Sequence, residues 1–507
     1  MATSSTSKIS FTVGRVVKFL KLFLANKRGT IGVIILLISL IIALSAPLLT
    51  PNDPVKDTYV AGDFAAPTWL SWFYGAESFC PNSQLISNPG FPTMSSLTNE
   101  WNFTQTSGYI DVFYEPNNGS DVSGPGCAEI LFSRPSGKTL AGVVETHLTS
   151  KIPYDFHYDS SPKRFTCNMS IRVTGVENLK AVSVIVLMKR LENDTSYILW
   201  DKKFSSSENW KAPHIDSYSE AMITRFGGVP TDPAAVVFSQ RDQIALTVRV
   251  FFDDTKPEMD KKKVEATVFI DDLNLRIYGN TYSLLGTDQQ GRDIFSQITY
   301  GARISLSVGL IAAFLGVVIG LVVGLAAGYL STLVDEVLMR FTDILLVLPG
   351  LPLLIVLIAV LGPSLMNLII LIGLLGWMGF ARVVRSQVLS LKERPYVEAA
   401  KAVGAGKFHI IIKHILPNVM SLVYVSLALS VPSAILSEAA LSFLGLFDPT
   451  VVSWGRMLHD AQTIEGGLDK WWWWLPPGLS IALISVAFIL LGYALDEVLN
   501  PRLRRRR

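Results

Sequence analysis

Long apolar runs punctuate this chain, but one long stretch contains none. Windows of about 18 or more mostly apolar residues can cross about 30 Å of hydrocarbon at 1.5 Å per residue. Such windows occur at 31–49, 304–330, 341–361, 368–384, 415–436 and 476–495. They predict six transmembrane helices. Residues 51 to about 293 hold no run long enough to cross. There Phe165, Cys167, Met169, Ile171 and Val173 alternate with polar residues, as do Ile244, Leu246, Val248, Val250 and Phe252. That period of two is expected of half-buried strands. Along 264–277 the apolar parity switches at Asp271 and Asp272, which predicts a β-bulge. Strands separated by Gly, Asn, Asp and Pro clusters over about 200 residues predict a β-sandwich or jelly roll. The expected fold class is an α-helical polytopic membrane protein with an inserted all-β domain. Its parts are an N-terminal segment 1–30, a first transmembrane helix 31–50, the insertion 74–281, and a core 283–503 with five transmembrane helices.

Composition agrees: 50% of the 507 residues are hydrophobic and 17% charged, against about 25% charged in a soluble domain. The net charge of +2 supplies no global field to attract nucleic acid, so what matters is where the charges lie. Residues 1–30 carry Lys8, Arg15, Lys18, Lys21, Lys27 and Arg28 without an acid, and the chain closes on Arg502, Arg504, Arg505, Arg506 and Arg507. The segment between the fourth and fifth spans adds Arg382, Arg385, Lys392, Arg394, Lys401, Lys407 and Lys413. Lys and Arg flanking spans favour the cytoplasm, so both termini and 391–413 are expected inside, and 52–290 outside the plasma membrane. A cleaved secretory leader is disfavoured, because the first apolar stretch exceeds the usual core of about 7 to 15 residues. The expected outer domain holds all three cysteines, Cys80, Cys127 and Cys167, and all four N-x-S/T sequons, at Asn102, Asn118, Asn168 and Asn193. One disulfide with one thiol left over is expected, the pairing being open, and the sequons are glycosylation candidates.

The most specific motif lies in the basic inner loop: Glu398-Ala399-Ala400-Lys-Ala-Val-Gly404, then Ile412 and His414-Ile-Leu416-Pro417-Asn418. Pro395 can open a helix at its first turn, the alanines allow close approach, and Gly404 allows a sharp exit. This pattern resembles the EAA loop of binding-protein-dependent ABC importers. A second stretch, Gly286-Thr287-Asp288-Gln-Gln-Gly291-Arg292-Asp293 before Tyr300-Gly-Ala-Arg303, resembles the approach to the second span in permeases of the dipeptide, oligopeptide and nickel group. Ala440-Leu-Ser-Phe-Leu-Gly445, Ser453-Trp-Gly455 and Asn500-Pro501-Arg502 look like the same subunit type, most similar to its C-type permease. The opening 88–91 with Trp101 and the closing 269–275 loosely resemble jelly-roll modules that bind carbohydrate.

The resemblance implies a non-catalytic permease in a prokaryotic, in one variant archaeal, plasma membrane. It would work with a second permease, two ABC ATPases that bind ATP and magnesium, and an extracytoplasmic binding protein. Its substrate would be an oligopeptide, an oligosaccharide or nickel. Glu398, Ala399, Ala400, Gly404, Ile412, Leu416 and Pro417 would then couple it to the ATPase. This chain lacks a phosphate loop: Gly137-Lys138-Thr139 has Phe132 where the first glycine belongs. No metal site follows from the six histidines. Asp253-Asp254 and Asp271-Asp272 are the kind of paired acids that supply oxygen ligands to a structural calcium, although such pairs more often lie solvated in turns. Asp335, Glu336 and Asp343 around Arg340 have intrahelical spacing, and Glu438 closes the fifth span on the outer side, where an ionisable group is either functional or simply hydrated. The competing reading is a membrane-anchored glycan-binding or glycan-processing protein, for which six spans and the inner loop would be superfluous.

Overall fold

The structure, a computed structural model, describes residues 23, 25–105, 107–120, 122 and 124–499. Lys8, Arg15, Lys18, Lys21, Asn500-Pro501 and the closing arginines lie outside them. The chain divides into two compact units: Met1–Thr58 with Arg292–Arg507, and Tyr59–Gly291.

The first unit is helical. Its helices are α1 (Lys27–Leu49), α2 (Ile294–Tyr329), α3 (Thr332–Val347), α4 (Gly350–Leu361), α5 (Leu365–Leu375), α6 (Met378–Lys392), α7 (Pro395–Ala402), α8 (Leu416–Phe443), α9 (Trp454–Thr463) and α10 (Trp471–Leu499). Among the described residues five helical runs are long and apolar enough to cross a membrane: Lys27–Leu49, Ile294–Tyr329, Leu365–Lys392, Lys407–Phe443 and Trp471–Leu499. The span expected at 341–361 is not one straight helix. It is the pair α3 and α4, bent by 88°. Leu348 between them is extended at φ −70, ψ 134, as a residue before proline prefers, and Pro349 caps α4. Helix α2 is central, and small residues bring its neighbours close: a Cβ on Gly328 would lie 2.7 Å from Val388 Cβ of α6. Two of the three acids on α3 pair across helices and not with Arg340. Asp335 accepts from Arg385, and Asp343 from Arg382, both on α6.

The second unit is two antiparallel sheets built from β1 (Ser83–Gln84), β2 (Trp101–Gln105), β3 (Ile110–Glu115), β4 (Cys127–Arg134), β5 (Gly142–Ser150), β6 (Tyr154–Phe156), β7 (Arg164–Thr174), β8 (Ala181–Arg190), β9 (Ser196–Phe204), β10 (Glu208–Lys211), β11 (Ile215–Asp216), β12 (Asp242–Asp254) and β13 (Val264–Tyr278). One sheet runs β10-β7-β13-β4-β3, with β1 beside β13 and β11 beside β7; the other runs β2-β5-β12-β8-β9, with β6 beside β12. The alternating positions anticipated on β7 and β12 point into the core between the sheets, where the Phe132 and Phe252 rings stack at 5.3 Å. Trp101 belongs to that core. The bulge stands where the parity switch placed it, with the β13–β7 register shifting between Asp271 and Asn274.

This unit is wider than 74–281 because the chain on either side folds into it. Gly62 N–H donates to Gly279 O at 3.1 Å, Ala66 N–H to Asn280 O at 2.8 Å and Phe64 N–H to Asp288 O at 2.9 Å. Nearby, the Arg164 guanidinium lies 3.8 Å above the Tyr59 ring and is forked onto Asp216.

The expected disulfide is absent: Cys80, Cys127 and Cys167 are buried free thiols. Topology keeps them apart. Cys167 on β7 faces Leu275 of β13, whereas Cys127 starts β4 on the other side of β13. Two inter-strand spacings are about 9.5 Å, beyond the Cα separation of about 4.4 to 6.8 Å that a disulfide spans. Cys80 lies beyond β13's far end, where its carbonyl accepts from Asn280 N–H.

Candidate functional site: a short helical stub

Helix α7 is an eight-residue stub with Pro395 in its first turn. Val397 is its anchor: fully buried, it packs with Val388, Leu391, Ile410, Ile415 and Val419. A buried valine every turn would sink the stub, but there is only one. Glu398, Ala399 and Ala402 therefore remain exposed, and Ala400 is half-buried against the same cluster. The exit is a Schellman motif: Ala405 N–H donates to Ala400 O at 3.0 Å, and Gly404 N–H to Lys401 O at 2.9 Å. Gly404 adopts φ +84 there, a backbone that side chains rarely accept.

The chain then runs through Lys407–Ile410 and a π-helical turn, Ile411–Ile415, into α8. That turn leaves Phe408 75% and Ile412 56% exposed beside Val403 at 88%. Leu416 packs into the Val397 cluster, and Pro417 is exposed in the first turn of α8. His409 and His414 lie beside the stub with rings 6.1 Å apart, and Tyr396 of α7 lies 6.3 Å from His414. The result is a short helix that exposes two alanines, Tyr396, one carboxylate and Lys401, flanked by exposed apolar side chains. Such a surface suits insertion into a partner's groove.

A second feature escaped sequence reading. A cavity of about 240 Å³ lies between α2, α4, α5 and α8, lined by glycines such as Gly316, Gly350 and Gly376 and by Ser430, Ser433 and Ser437 of α8. The three serines recur at helical spacing, a signal hidden within an otherwise apolar span. Next to Ser437, Glu438 is not hydrated: it is 2% exposed and accepts from Ser442 Oγ at 2.7 Å.

The Gly286–Asp293 stretch is structural. Asp293 caps α2, accepting from Phe295 and Ser296 N–H, both at 3.2 Å. Thr287 Oγ1 accepts from Ala65 N–H at 2.8 Å and donates to Gly62 O at 2.6 Å, while Asp288 Oδ1 accepts from Gln290 N–H. Gly286 and Gly291 take positive φ, and Arg292 faces Asp460 at 3.5 Å. In the β unit, Asn102 on edge strand β2 and Asn193 in the β8–β9 turn are exposed. The hydroxyls of Ser120 and Ser170, from the sequons of Asn118 and Asn168, both donate to Asp272. Asp254 is engaged with buried Arg134 at 2.6 Å. Among the described residues no group of three or more His, Cys, Asp or Glu is placed to hold a metal.

Comparison with known proteins gives a consistent picture. The family described as "Binding-protein-dependent transport system inner membrane component" matches residues 301–505, and "N-terminal TM domain of oligopeptide transport permease C" matches residues 17–67. The chain is 44% identical to the dipeptide transport system permease protein DppC of Bacillus subtilis over 222 residues, covering 43% of this chain and 69% of the relative. It is 40% identical to the oligopeptide transport system permease protein OppC of the same organism, covering 43% and 72%. Among solved structures, the MetNI methionine ABC transporter matches at 18% identity and TM-score 0.30, covering 41% of this chain and 95% of that one.

Proposed function

The chain belongs to the family of binding-protein-dependent transport system inner membrane components, and from that premise we propose that it forms half of the membrane pathway of an ATP-driven peptide importer. The family work is vectorial transport by a multi-pass membrane protein, with no chemistry assigned to this chain. A second permease completes the pathway as a heterodimer, two ATPase subunits drive it, and an external binding protein delivers a peptide. The observation carrying this reading is α7: anchored through Val397, its one buried residue, it leaves Glu398, Ala399 and Ala402 exposed for a partner. ATP closure of the paired ATPases would move the stub, and through the Val397 cluster it would move α6 and α8. The Ser430, Ser433 and Ser437 file on α8 offers hydroxyls to the amides of a passing peptide, while its glycines leave space. By connectivity the β unit sits in the loop between the first and second spans, the side from which the binding protein approaches.

The test is reconstitution. The chain, its second permease, the ATPases and the binding protein are placed in liposomes, and uptake of a labelled dipeptide is followed with ATP inside. Uptake that needs ATP and the binding protein supports the reading. Uptake of sugars but not peptides, or none without a further component, overturns the substrate assignment. Mass spectrometry of the ligand that co-purifies with the binding protein gives an independent answer.

A further inference from the structure

A cavity of about 230 Å³ opens in the β unit where the bulge of β13 faces β7. Asp272, Asn274 and Asn168 form its polar wall; Pro89, Ala212 and Pro213 form its apolar wall. Asn274 and Asn168 are register partners across the two strands. Asp272 is 6% exposed and sits at φ +54, a left-handed conformation that persists where the surroundings impose it, as a bulge does. Its Oδ2 accepts from the hydroxyls of Ser120 and Ser170. Its buried Oδ1 has no hydrogen-bond partner among the described residues, and neither has the buried Oδ1 of Asn274. The cavity lining includes no lysine or arginine, and its one histidine, His214, faces Asp216 at 3.5 Å. Neighbouring Asp271 adds a second buried carboxyl, its oxygens taken by the N–H groups of Ser120 and Asp272. The wall is therefore rich in acceptors, holds a carboxyl group with no lysine or arginine beside it, and keeps two oxygens from water without a partner among the described residues.

A fitting ligand brings a positive charge, several N–H donors and a small apolar body. A primary ammonium has three donors and no acceptor. Calcium would want about six to eight oxygens, more than this wall supplies, and the cavity far exceeds the volume of one ion. We propose that this cavity binds a primary ammonium group, the free amino terminus of a peptide. Asp272 Oδ1, Asn274 Oδ1 and the Asn168 amide oxygen accept its hydrogen bonds, and the first side chain rests against Pro89 and Pro213. The ammonium chemistry stands on the cavity; the choice of a peptide as its bearer rests on the import reading above.

Calorimetry on the full-length protein in nanodiscs tests this with four probes: alanyl-alanine, its N-acetylated form, methylammonium and calcium chloride. Alanyl-alanine and methylammonium are expected to bind and the acetylated peptide is not. Asn274→Leu, which removes an oxygen with no partner among the described residues, should weaken binding by at least about tenfold, the effect of one hydrogen bond to a charged group. Asp272→Asn, which keeps an acceptor for the two serines, should abolish it. Equal binding of the acetylated peptide, undiminished binding by Asn274→Leu, or no binding of either amine overturns the proposal. Calcium that displaces the amines overturns it in favour of a metal site. Methylammonium binding in a protein whose reconstituted importer takes up no peptide leaves the site standing and removes the import reading. Peptide uptake without methylammonium binding removes the site alone.

Discussion

Arg164 and Asp216 show how much can rest on one pair of side chains. The guanidinium is 10% and the carboxylate 9% exposed, with Tyr59, Tyr218 and Tyr278 around the cation. Burial pushes the Asp216 carboxyl up, but hydrogen bonds from Arg164 and from Tyr218 N–H outweigh it and hold the group below its ordinary value. A depressed carboxylate stabilises above its unfolded pKa, and that stability is lost as pH falls through the folded one. Asp216→Asn should therefore lower the stability of the β unit at pH 7 by about 3 kcal/mol, because Arg164 stays buried and unpaired. In thermal melts the gap to the parent should close below the ordinary carboxylate range; a gap that persists at low pH would refute this account. The cysteines make a second residue-scale prediction. Burial pushes the Cys80 thiol up to about 11, and Cys127 and Cys167 up to about 12, Cys127 helped by the Asp271 charge. Thiolate is scarce at pH 8, so alkylation of the folded protein should be slow, with three thiols titrating after denaturation without reductant. A melting temperature that drops on reduction would reinstate a disulfide. Oxidising surroundings, inferred from composition, do not bring thiols together; strand order decides that.

Among elements, α7 is where sequence and structure agree most closely. Its opening proline and closing glycine are local signals, and φ +84 at Gly404 shows why the glycine is there. Gly404→Val forces a β-branched residue into that conformation, at a cost of about 1 to 3 kcal/mol, and Glu398→Lys reverses a charge in the stub's first turn. Both variants should insert in the membrane but lose ATP-dependent uptake and co-purification with the ATPase. Parental assembly and transport rates in both would remove α7 as the docking element. The anchor Val397 was not legible, because its partners come from α6, from the Lys407–Ile410 turn, from the π-helical turn and from α8. The bend between α3 and α4 was hidden for another reason. Hydropathy sums over a window and is blind to direction, so Leu348-Pro349 reads as apolar continuity although the proline breaks it. In β13, by contrast, the bulge was legible, since a parity switch is a local record of which face each residue takes.

At the scale of the whole molecule the chain is a helical membrane unit with a β unit inserted between its first and second spans. Orientation is an expectation of charge placement. In intact cells an impermeant maleimide should label Asn193→Cys, exposed in the β8–β9 turn, and should reach Ser390→Cys, exposed on α6, only after permeabilisation. The reverse pattern would invert the topology and the coupling assignment with it. What the sequence determined by itself was whatever depends on short range: span length from apolar runs, strands from period two, the ends of α7 from proline and glycine, and the family from motif spacing. Only the tertiary structure decided the rest. It set the free thiols apart across β13, joined Asp335 and Asp343 to α6, and drew Tyr59–Ala66 into the β unit. It also left a bare carboxylate oxygen on Asp272. Each of these depends on residues far apart in the chain but close in the fold, and no local pattern encodes which distant partner arrives.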